Sequence, residues 1–139
     1  MEITIQISEK LTEDCMHIRQ EVFVSEQGFV DEFDEIDGHA YHVVAYDGSE
    51  PVATGRVFAD SEAKYHIGRV AVLRTYRGTG IGRLVMSALE QKAKELGAKQ
   101  VSLSAQCQAA GFYKSIGYTE TDDLHLDQGC PHVTMIRTF

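Results

Sequence analysis

Six consecutive residues, Arg77-Gly78-Thr79-Gly80-Ile81-Gly82, have the composition of a phosphate-binding turn. A strand-like segment precedes them, and apolar residues follow at helical spacing from residue 80 to residue 96. Glycines between a strand and a helix let the main chain approach a ligand closely, and the amides at a helix N-terminus favour negative charge. Arg77 could add a charge-assisted hydrogen bond. The segment therefore predicts a site for a phosphate group.

The glycine spacing distinguishes this turn from two other phosphate-binding loops. A dinucleotide fingerprint requires Gly-x-Gly-x-x-Gly, whereas here the third glycine comes one residue early. A Walker loop requires Gly-Lys followed by Ser or Thr, whereas Gly82 is followed by Arg83 and Leu84. A tight turn that binds nothing would also use glycines. Residues 63–89 contain no Asp or Glu but do contain Lys64, Arg69, Arg74, Arg77 and Arg83. A phosphate site explains that basic setting and a tight turn alone does not, whereas chance clustering of surface charge is the alternative.

Composition limits the class of protein. A length of 139 residues suits one self-sufficient domain, residues 1–139. The net charge of −8 disfavours general nucleic-acid binding, which needs a basic surface. No apolar run is long enough to span a membrane, and the N-terminal residues do not have the pattern of a secretory signal. Three cysteines without Cys-x-x-Cys spacing argue against a disulfide framework or a zinc knuckle, so we expect reduced thiols and a cytoplasmic location.

Periodicity predicts the elements that position the turn. Strands are predicted at residues 2–8, 41–46, 52–58, 66–72, 99–105 and 131–138, and helices at residues 12–24, 80–96 and 109–116. Residues 25–39 fit neither period and are interpreted as a short helix or an ordered loop. Antiparallel hairpins followed by a strand-helix-strand-helix-strand series predict an α+β domain with a mixed sheet.

Two motifs resemble the GNAT N-acetyltransferase superfamily. Arg77-x-x-Gly80-x-Gly82 is similar to the acetyl-CoA pyrophosphate loop of that family, and the preceding Val70-Ala71-Val72 is similar to the strand that pairs with the pantetheine arm. Ala109-x-x-Phe112-Tyr113-x-x-x-Gly117-Tyr118 resembles the final helix of the family and the strand after it.

The resemblance implies a fold, a cofactor and a reaction. The fold would be a central, mostly antiparallel twisted sheet that is splayed in the middle and flanked by about four helices. The protein would be an acetyl-CoA-dependent N-acetyltransferase. The residues that would contact the cofactor are Val70, Ala71, Val72, Arg77, Gly78, Thr79, Gly80, Ile81, Gly82, Arg83, Gln106 and Tyr113. At the position of Gln106 many relatives carry an Asn that hydrogen-bonds the pantetheine arm. Gln106 keeps the amide group but places it one methylene farther from the backbone.

Tyr113 is the predicted general acid. Acetyl transfer to an amine expels a thiolate, and a phenol with a pKa near ~10 stays protonated at neutral pH and can donate to it. The family uses the tyrosine of the Phe-Tyr pair in this role, while Phe112 suits the core. An aromatic core position is the structural alternative for Tyr113.

The acceptor site is indicated by a second set of residues. The segments Arg19-x-Glu21-Val22-Phe23-Val24-x-Glu26-Gln27, Asp34-x-x-Asp37, His42 and Gly129-x-Pro131-His132-x-x-Met135 resemble the ElaA/YjcF-like branch of the superfamily. Because an alkylammonium must lose a proton before attack, a carboxylate or a histidine should lie nearby. The candidates are Glu26, Asp34, Asp37, His42 and His132. Of these, Glu26 and His42 are predicted as the base at the acceptor site, and Asp34, Asp37 and His132 are predicted to bind the acceptor. A solvated loop face for the acidic residues and a structural role for His42 are the alternatives.

No metal is expected. The acidic stretch at residues 34–38 does not fit an EF-hand, because the loop glycine would place Phe33 and Val44 at ligand positions. Zinc held by His39, His42 and His132 is a weaker alternative, since these residues lie among apolar neighbours and the family uses no metal. The predicted function is therefore direct acetyl transfer to a small-molecule or peptide amine by a monomer or homodimer. A CoA-binding sensor or partner module without turnover is the alternative.

Overall fold

The computed structural model describes residues 1–29 and 33–139. Within these ranges one sheet contains the strands β1 (Ile3–Ser8), β2 (Tyr41–Asp47), β3 (Glu50–Ser61), β4 (Lys64–Val72), β5 (Gln100–Gln106), β6 (Thr119–Asp127) and β7 (Cys130–Thr138), in the order β1-β2-β3-β4-β5-β7-β6. The helices are α1 (Glu13–Arg19), which continues as a π-helix (Gln20–Glu26), α2 (Ile81–Glu95) and α3 (Ala110–Ser115). Short 3-10 turns occupy Glu35–Gly38, Arg74–Tyr76 and Cys107–Ala109.

The sheet splits between its two parallel strands. All other neighbouring strands run antiparallel, but β4 and β5 run parallel and pair only from Lys64 with Gln100 to Ile67 with Leu103. Beyond this point the two strands separate, although β4 continues to Val72. The predicted splay in the middle of a mixed sheet is therefore present.

A β-bulge in β4 lies at the start of the gap. Arg56 pairs with Gly68 and Thr54 pairs with Ala71, so β4 has one more residue than β3 across this stretch. Arg69 has a φ of 52°, which is unusual for a residue with a side chain. Bulges bend a strand and increase its twist, and this one lies where β4 leaves β5.

Helix α2 covers one face of the sheet. Its buried residues Ile81, Val85, Met86 and Leu89 follow the predicted helical spacing and pack in the larger core cluster. The approach to β3 is close at Gly55, where a Cβ atom would lie 2.7 Å from Cδ1 of Leu89. The absence of a side chain at Gly55 therefore lets the middle of α2 pack closely on β3.

Helix α1 covers the opposite face. Cys15, Ile18 and Val22 form a second core cluster with Val44 and Ala71. Adjacent residues of a strand point to opposite faces, and Val43, the residue before Val44, accordingly lies in the larger core cluster beneath α2. Helices thus cover both faces of the sheet at its middle strands, whereas the edge strands β1 and β6 are largely exposed.

Sequence patterns and structure differ in two places. The predicted helix at residues 12–24 is an α-helix for seven residues and then a π-helix. Periodicity predicts no strand between residues 117 and 131, but β6 lies there. Strand β6 forms a sheet edge, and its two leucines, Leu124 and Leu126, are each 72% exposed. Its sequence therefore does not alternate between buried apolar and exposed polar residues, which is the pattern that predicts a strand. Of the segment at residues 25–39, Val30, Asp31 and Glu32 lie outside the described residues.

Among the helices that the structure describes, none combines the length and apolar character needed to span a membrane.

Candidate active site

The gap between β4 and β5 opens into a cavity of about 340 Å³. Residues 67–70 of β4 form one wall and residues 103–106 of β5 form the other. Among the predicted site residues, Val70, Gln106, Tyr113 and His132 all line this cavity. The splay thus brings together residues that lie more than sixty positions apart in the chain.

The glycine turn ends at the N-terminus of α2. Gly78 and Gly80 have φ values of 78° and 88°, which strongly favour glycine. Gly80 is the N-cap of α2, and within residues 1–29 and 33–139 no side chain caps the helix there. The amides of the first helical turn are therefore free to bind an anion. At Gly82 a Cβ atom would lie 3.3 Å from Cζ of Phe112, so the third glycine allows α3 to pack against the turn.

Arg77 and Glu26 form an ion pair beside this turn. The two terminal nitrogens of Arg77 donate to the Glu26 carboxylate at 2.7 and 2.8 Å, and its Nε donates to the carbonyl oxygen of Val72 at 3.0 Å. The hydrogen bond from Arg77 lowers the pKa of Glu26. Arg74 lies 3.7 Å from the same carboxylate. Arg77 and Glu26 thus both lie at the glycine turn. Glu26 is not among the residues that line the cavity.

The remaining predicted cofactor residues surround the turn and the gap. Ala71 and Ile81 are buried in the core. The Thr79 hydroxyl donates to the carbonyl oxygen of Tyr76 at 2.5 Å, and Arg83 donates to Ser115 at 3.5 Å. Across the mouth of the cavity, Nε2 of Gln106 donates to Oε1 of Gln27 at 2.9 Å. The last contact joins the end of the π-helix to the end of β5.

Tyr113 lies in the cavity wall on α3. Its ring packs edge-on against Phe112 and Tyr118, with centroid distances of 5.0 and 6.0 Å. Burial raises the pKa of Tyr113 to about 12, so the hydroxyl carries its proton at neutral pH. Within the described part of the chain, this hydroxyl makes no hydrogen bond that would hold it away from a ligand.

His132 presents an unprotonated nitrogen in its neutral form. Its Nδ1 lies 2.8 Å from the carbonyl oxygen of Cys130. A carbonyl oxygen only accepts hydrogen bonds, so Nδ1 carries the proton and Nε2 keeps a lone pair. The side chain is 6% exposed and lines the cavity. This geometry suits a proton acceptor.

His42, Asp34 and Asp37 lie in a network behind the cavity. Asp37 accepts from Arg19 at 2.8 and 3.1 Å and from Arg56 at 2.9 Å. Nε2 of His42 donates to the carbonyl oxygen of Asp37 at 3.0 Å, and burial lowers the pKa of His42. Neither His42 nor the two carboxylates line the cavity.

Asp34 connects this network to the cavity wall. Its carboxylate accepts from Arg56 at 2.6 and 3.0 Å and from Arg69 at 3.3 Å, and both arginines line the cavity. The hydrogen bond from Arg56 lowers the pKa of Asp34. The arrangement favours a structural role for the acidic pair, which fixes two guanidinium groups at the cavity edge.

Several cavity residues were not predicted. Arg56, His66 and Ser104 line the cavity but lie on strands without a recognisable motif. Nδ1 of His66 is 3.1 Å from the hydroxyl of Ser102, and burial lowers the pKa of His66. These side chains reach the cavity only because β4 and β5 separate, and sequence periodicity does not predict where two strands separate. No group of three or more potential metal ligands occurs among the residues that the structure describes.

Comparison with known proteins identifies the family. A profile of the acetyltransferase (GNAT) domain matches residues 8–139. The chain is 37% identical to a Bacillus subtilis protein named uncharacterized N-acetyltransferase YjcF, over 99% of each chain. The crystal structure of Escherichia coli ElaA superposes with a TM-score of 0.84 and 28% identity, over 98% of this chain and 99% of the other.

A further solved structure shares the fold. It is a GNAT family acetyltransferase from Elizabethkingia anophelis with acetyl-CoA bound, with a TM-score of 0.75 and 16% identity, over 99% of this chain and 98% of the other. The splayed sheet, the glycine turn and the match over nearly the whole length agree with one another. The chain therefore belongs to the GNAT acetyltransferases, on the branch that includes YjcF and ElaA.

Proposed function

We propose that this acetyltransferase moves an acetyl group from acetyl-CoA to a primary amine by direct attack in a ternary complex. One observation carries the proposal: Val70, Gln106, Tyr113 and His132 line the same cavity in the splay of the sheet. The E. anophelis protein of the same fold holds acetyl-CoA, which supports the same co-substrate here. The acceptor is a small-molecule or peptide amine.

The residues present fit a CoA thioester, which supplies an activated acyl group when it is bound. The uncapped amides of Ile81, Gly82 and Arg83 would hold the diphosphate at the N-terminus of α2. Beyond Ile67 the edge of β4 that faces the gap has no strand partner among the described residues, so its backbone can pair with the pantetheine arm around Val70. The same backbone amides would orient the thioester carbonyl.

His132 acts as the base in this proposal. An alkylammonium with a pKa near ~10.4 costs about 4.6 kcal/mol to deprotonate at pH 7, so a proton acceptor at the acceptor site is useful. The Nε2 lone pair of His132 meets that need, directly or through water. Glu26 receives no catalytic role, because its ion pair with Arg77 makes it a weaker base. His42 receives none either, because it is buried away from the cavity wall.

Tyr113 acts as the acid. Its raised pKa keeps the hydroxyl protonated at any physiological pH, and the hydroxyl is available to donate to the thiolate as the C–S bond breaks. Its position on α3, which packs on the glycine turn through Gly82, sets the distance between the diphosphate site and the acid.

The test is a CoA-thiol release assay over a panel of amines, with melting curves recorded in parallel. We expect acetyl-CoA to raise the melting temperature and at least one amine class to accelerate release of CoA. A rise in melting temperature without acceleration by any amine would contradict the proposed amine transfer, and if no CoA were released at all the result would indicate a ligand-binding module instead.

A further inference from the structure

A second set of reactive side chains, Ser104, His125 and Asp123, reaches the same cavity through Ser104, whereas His125 and Asp123 are not among the residues that line it. Ser104 lies on β5 in the cavity wall, two residues before Gln106 and on the same face of the strand. Its hydroxyl oxygen is 2.8 Å from Nε2 of His125, which reaches across from the edge strand β6. The His125 ring stacks on His132 with a centroid distance of 5.9 Å and an interplanar angle of 23°.

The surroundings of His125 define its neutral tautomer. Nδ1 lies 3.4 Å from the carbonyl oxygen of Asp123 and 3.5 Å from its Oδ1. Both atoms only accept hydrogen bonds, so Nδ1 carries the proton. Nε2 therefore has a free lone pair, and the Ser104 hydroxyl donates to it. The Ser104 hydroxyl is hydrogen-bonded to the imidazole, and the imidazole is oriented by the backbone carbonyl of Asp123 with the carboxylate at 3.5 Å, so the pair has the arrangement of a serine nucleophile with its general base.

Further contacts hold Asp123 in position. Its Oδ2 accepts from the Thr134 hydroxyl at 2.7 Å, and its backbone N–H donates to the Thr121 hydroxyl at 3.2 Å. The carboxylate is 64% exposed, so it acts by orienting the imidazole rather than as a desolvated charge. The amine-transfer reaction proposed above uses neither Ser104 nor His125.

We propose that Ser104 gives this protein a second activity, hydrolysis of acyl thioesters through an acyl-serine intermediate. The proposal rests on the proposed function in requiring that the thioester enters the cavity and that Tyr113 protonates the departing thiolate. Oγ of Ser104 forms a bond to the acyl carbon while its proton passes to Nε2 of His125. The C–S bond then breaks, and the thiolate takes a proton from Tyr113, which is restored from solvent.

Water completes the cycle. A water molecule gives a proton to Nε2 of His125 after the first proton has returned to solvent, and its oxygen attacks the ester carbon of the acyl-serine. The ester bond to Ser104 breaks, and Oγ recovers its proton from His125. The net reaction converts an acyl thioester and water into a carboxylic acid and a free thiol, without any oxidant or metal. An amine acceptor would compete with Ser104 for the same acyl group.

The experiment uses the full chain and acetyl-CoA without any amine. CoA release and acetate formation are followed, and the intact protein mass is measured after an acid quench. We expect release above the rate in buffer and a protein species heavier by one acetyl group. Ser104→Ala should reduce release to the buffer rate and remove the adduct. Ser104→Cys should retain an adduct at this position, because a thiol is also a nucleophile.

Matched variants separate chemistry from folding. His125→Gln should slow hydrolysis by about 10²- to 10⁴-fold, the range for a lost general base. Ser87→Ala, which removes an exposed hydroxyl on α2, should leave hydrolysis unchanged. Hydrolysis that persists in Ser104→Ala would overturn the proposal, as would a wild-type protein that binds acetyl-CoA but releases CoA only with an amine. Ser104-dependent hydrolysis that no amine accelerates would instead contradict the proposed amine transfer alone.

Discussion

At the residue scale, the structure assigns different environments to groups of the same type. Of the two histidines predicted for the site, His132 has a lone pair beside the cavity, whereas His42 is buried beside the Arg19–Asp37 ion pair. Tyr113 and Tyr118 are adjacent rings, but the Tyr118 hydroxyl donates to Glu90 at 2.7 Å. Hydrogen-bond partners therefore separate a reactive group from a structural one.

Replacing Tyr113 by Phe tests the acid. We expect kcat for amine-dependent CoA release to fall by about 10²- to 10⁴-fold with little change in KM for acetyl-CoA. In the wild type, the pKa of about 12 for Tyr113 predicts no loss of acid catalysis as the pH rises from about 8 to about 10. Tyr118→Phe is the control, since it should lower the melting temperature but leave kcat nearly unchanged. Full turnover in Tyr113→Phe would show that another group protonates the thiolate.

Replacing His132 by Gln tests the base. At pH 7 we expect the rate with an alkylamine to fall by about 10²-fold or more, because the ammonium form loses its proton acceptor. The defect should become smaller as the pH approaches the amine pKa near ~10.4, where the acceptor is neutral without help. The measurement is the rate of amine-dependent CoA release by His132→Gln and by the wild type at a series of increasing pH values. A defect that stays constant with pH would indicate that His132 positions the acceptor and does not take its proton.

At the element scale, the end of the π-helix closes over the gap. Glu26 pairs with Arg77 on the β4 side, and the next residue, Gln27, bonds to Gln106 on the β5 side. The element therefore bridges both strands of the splay. Arg77, predicted to bind the cofactor diphosphate, is held by an internal carboxylate in this structure.

Glu26→Gln should strengthen acetyl-CoA binding. The substitution removes a negative charge from the anion site and releases Arg77 for the diphosphate. Because the two side chains are 24% and 40% exposed, the pair contributes about 0.4 to 1 kcal/mol, which corresponds to a decrease of about 2- to 5-fold in Kd. Calorimetric titration at two salt concentrations measures the Kd for acetyl-CoA. Glu21→Gln is the control, because it removes the same charge without touching the ion pair. Weaker binding in Glu26→Gln would mean that Glu26 positions Arg77 for the ligand.

At the scale of the whole molecule, one ion-pair network connects elements that the sequence separates. Arg19 of α1 and Arg56 of β3 are 0% and 3% exposed, and both donate to Asp37 in the segment between α1 and β2. The network lies between the helix layer and the cavity wall. Burial alone would raise the pKa of Asp37, but hydrogen bonds from Arg19 and from the backbone of Asp34 lower it overall.

Asp37→Asn should destabilise the fold by about 3 to 5 kcal/mol, because two buried guanidinium groups lose a shared anion. The pKa of Asp37 is lower in the folded state, so the unfolded chain takes up the proton first as the pH falls below about 4. The free energy of unfolding of the wild type should therefore decrease in that range, and the free energy of unfolding of Asp37→Asn should decrease less. Urea unfolding at several pH values measures both effects, with exposed Asp122→Asn as the control. Equal stability of Asp37→Asn and wild type would contradict the argument.

Short-range patterns were sufficient for a large part of this protein. Helix periodicity predicted α2 nearly to the residue, and glycine spacing predicted the turn at its N-terminus, because both depend on neighbours within one or two helical turns. The family, the mixed sheet and its central splay followed from motifs of this kind and are confirmed. The second GNAT-like motif implied a strand after the last helix, but periodicity did not mark the edge strand β6, because its leucines face solvent and leave no buried pattern.

The tertiary structure decided which side chains share the cavity. Nothing local to Glu26 indicates that it pairs with a residue fifty-one positions away, and nothing local to Ser104 indicates a histidine on a strand two places across the sheet. These contacts arise from strand order and from the separation of β4 and β5, which depend on packing between distant segments. Residue type and spacing therefore indicated the chemistry, whereas the assignment of individual carboxylates and histidines required their hydrogen-bond partners.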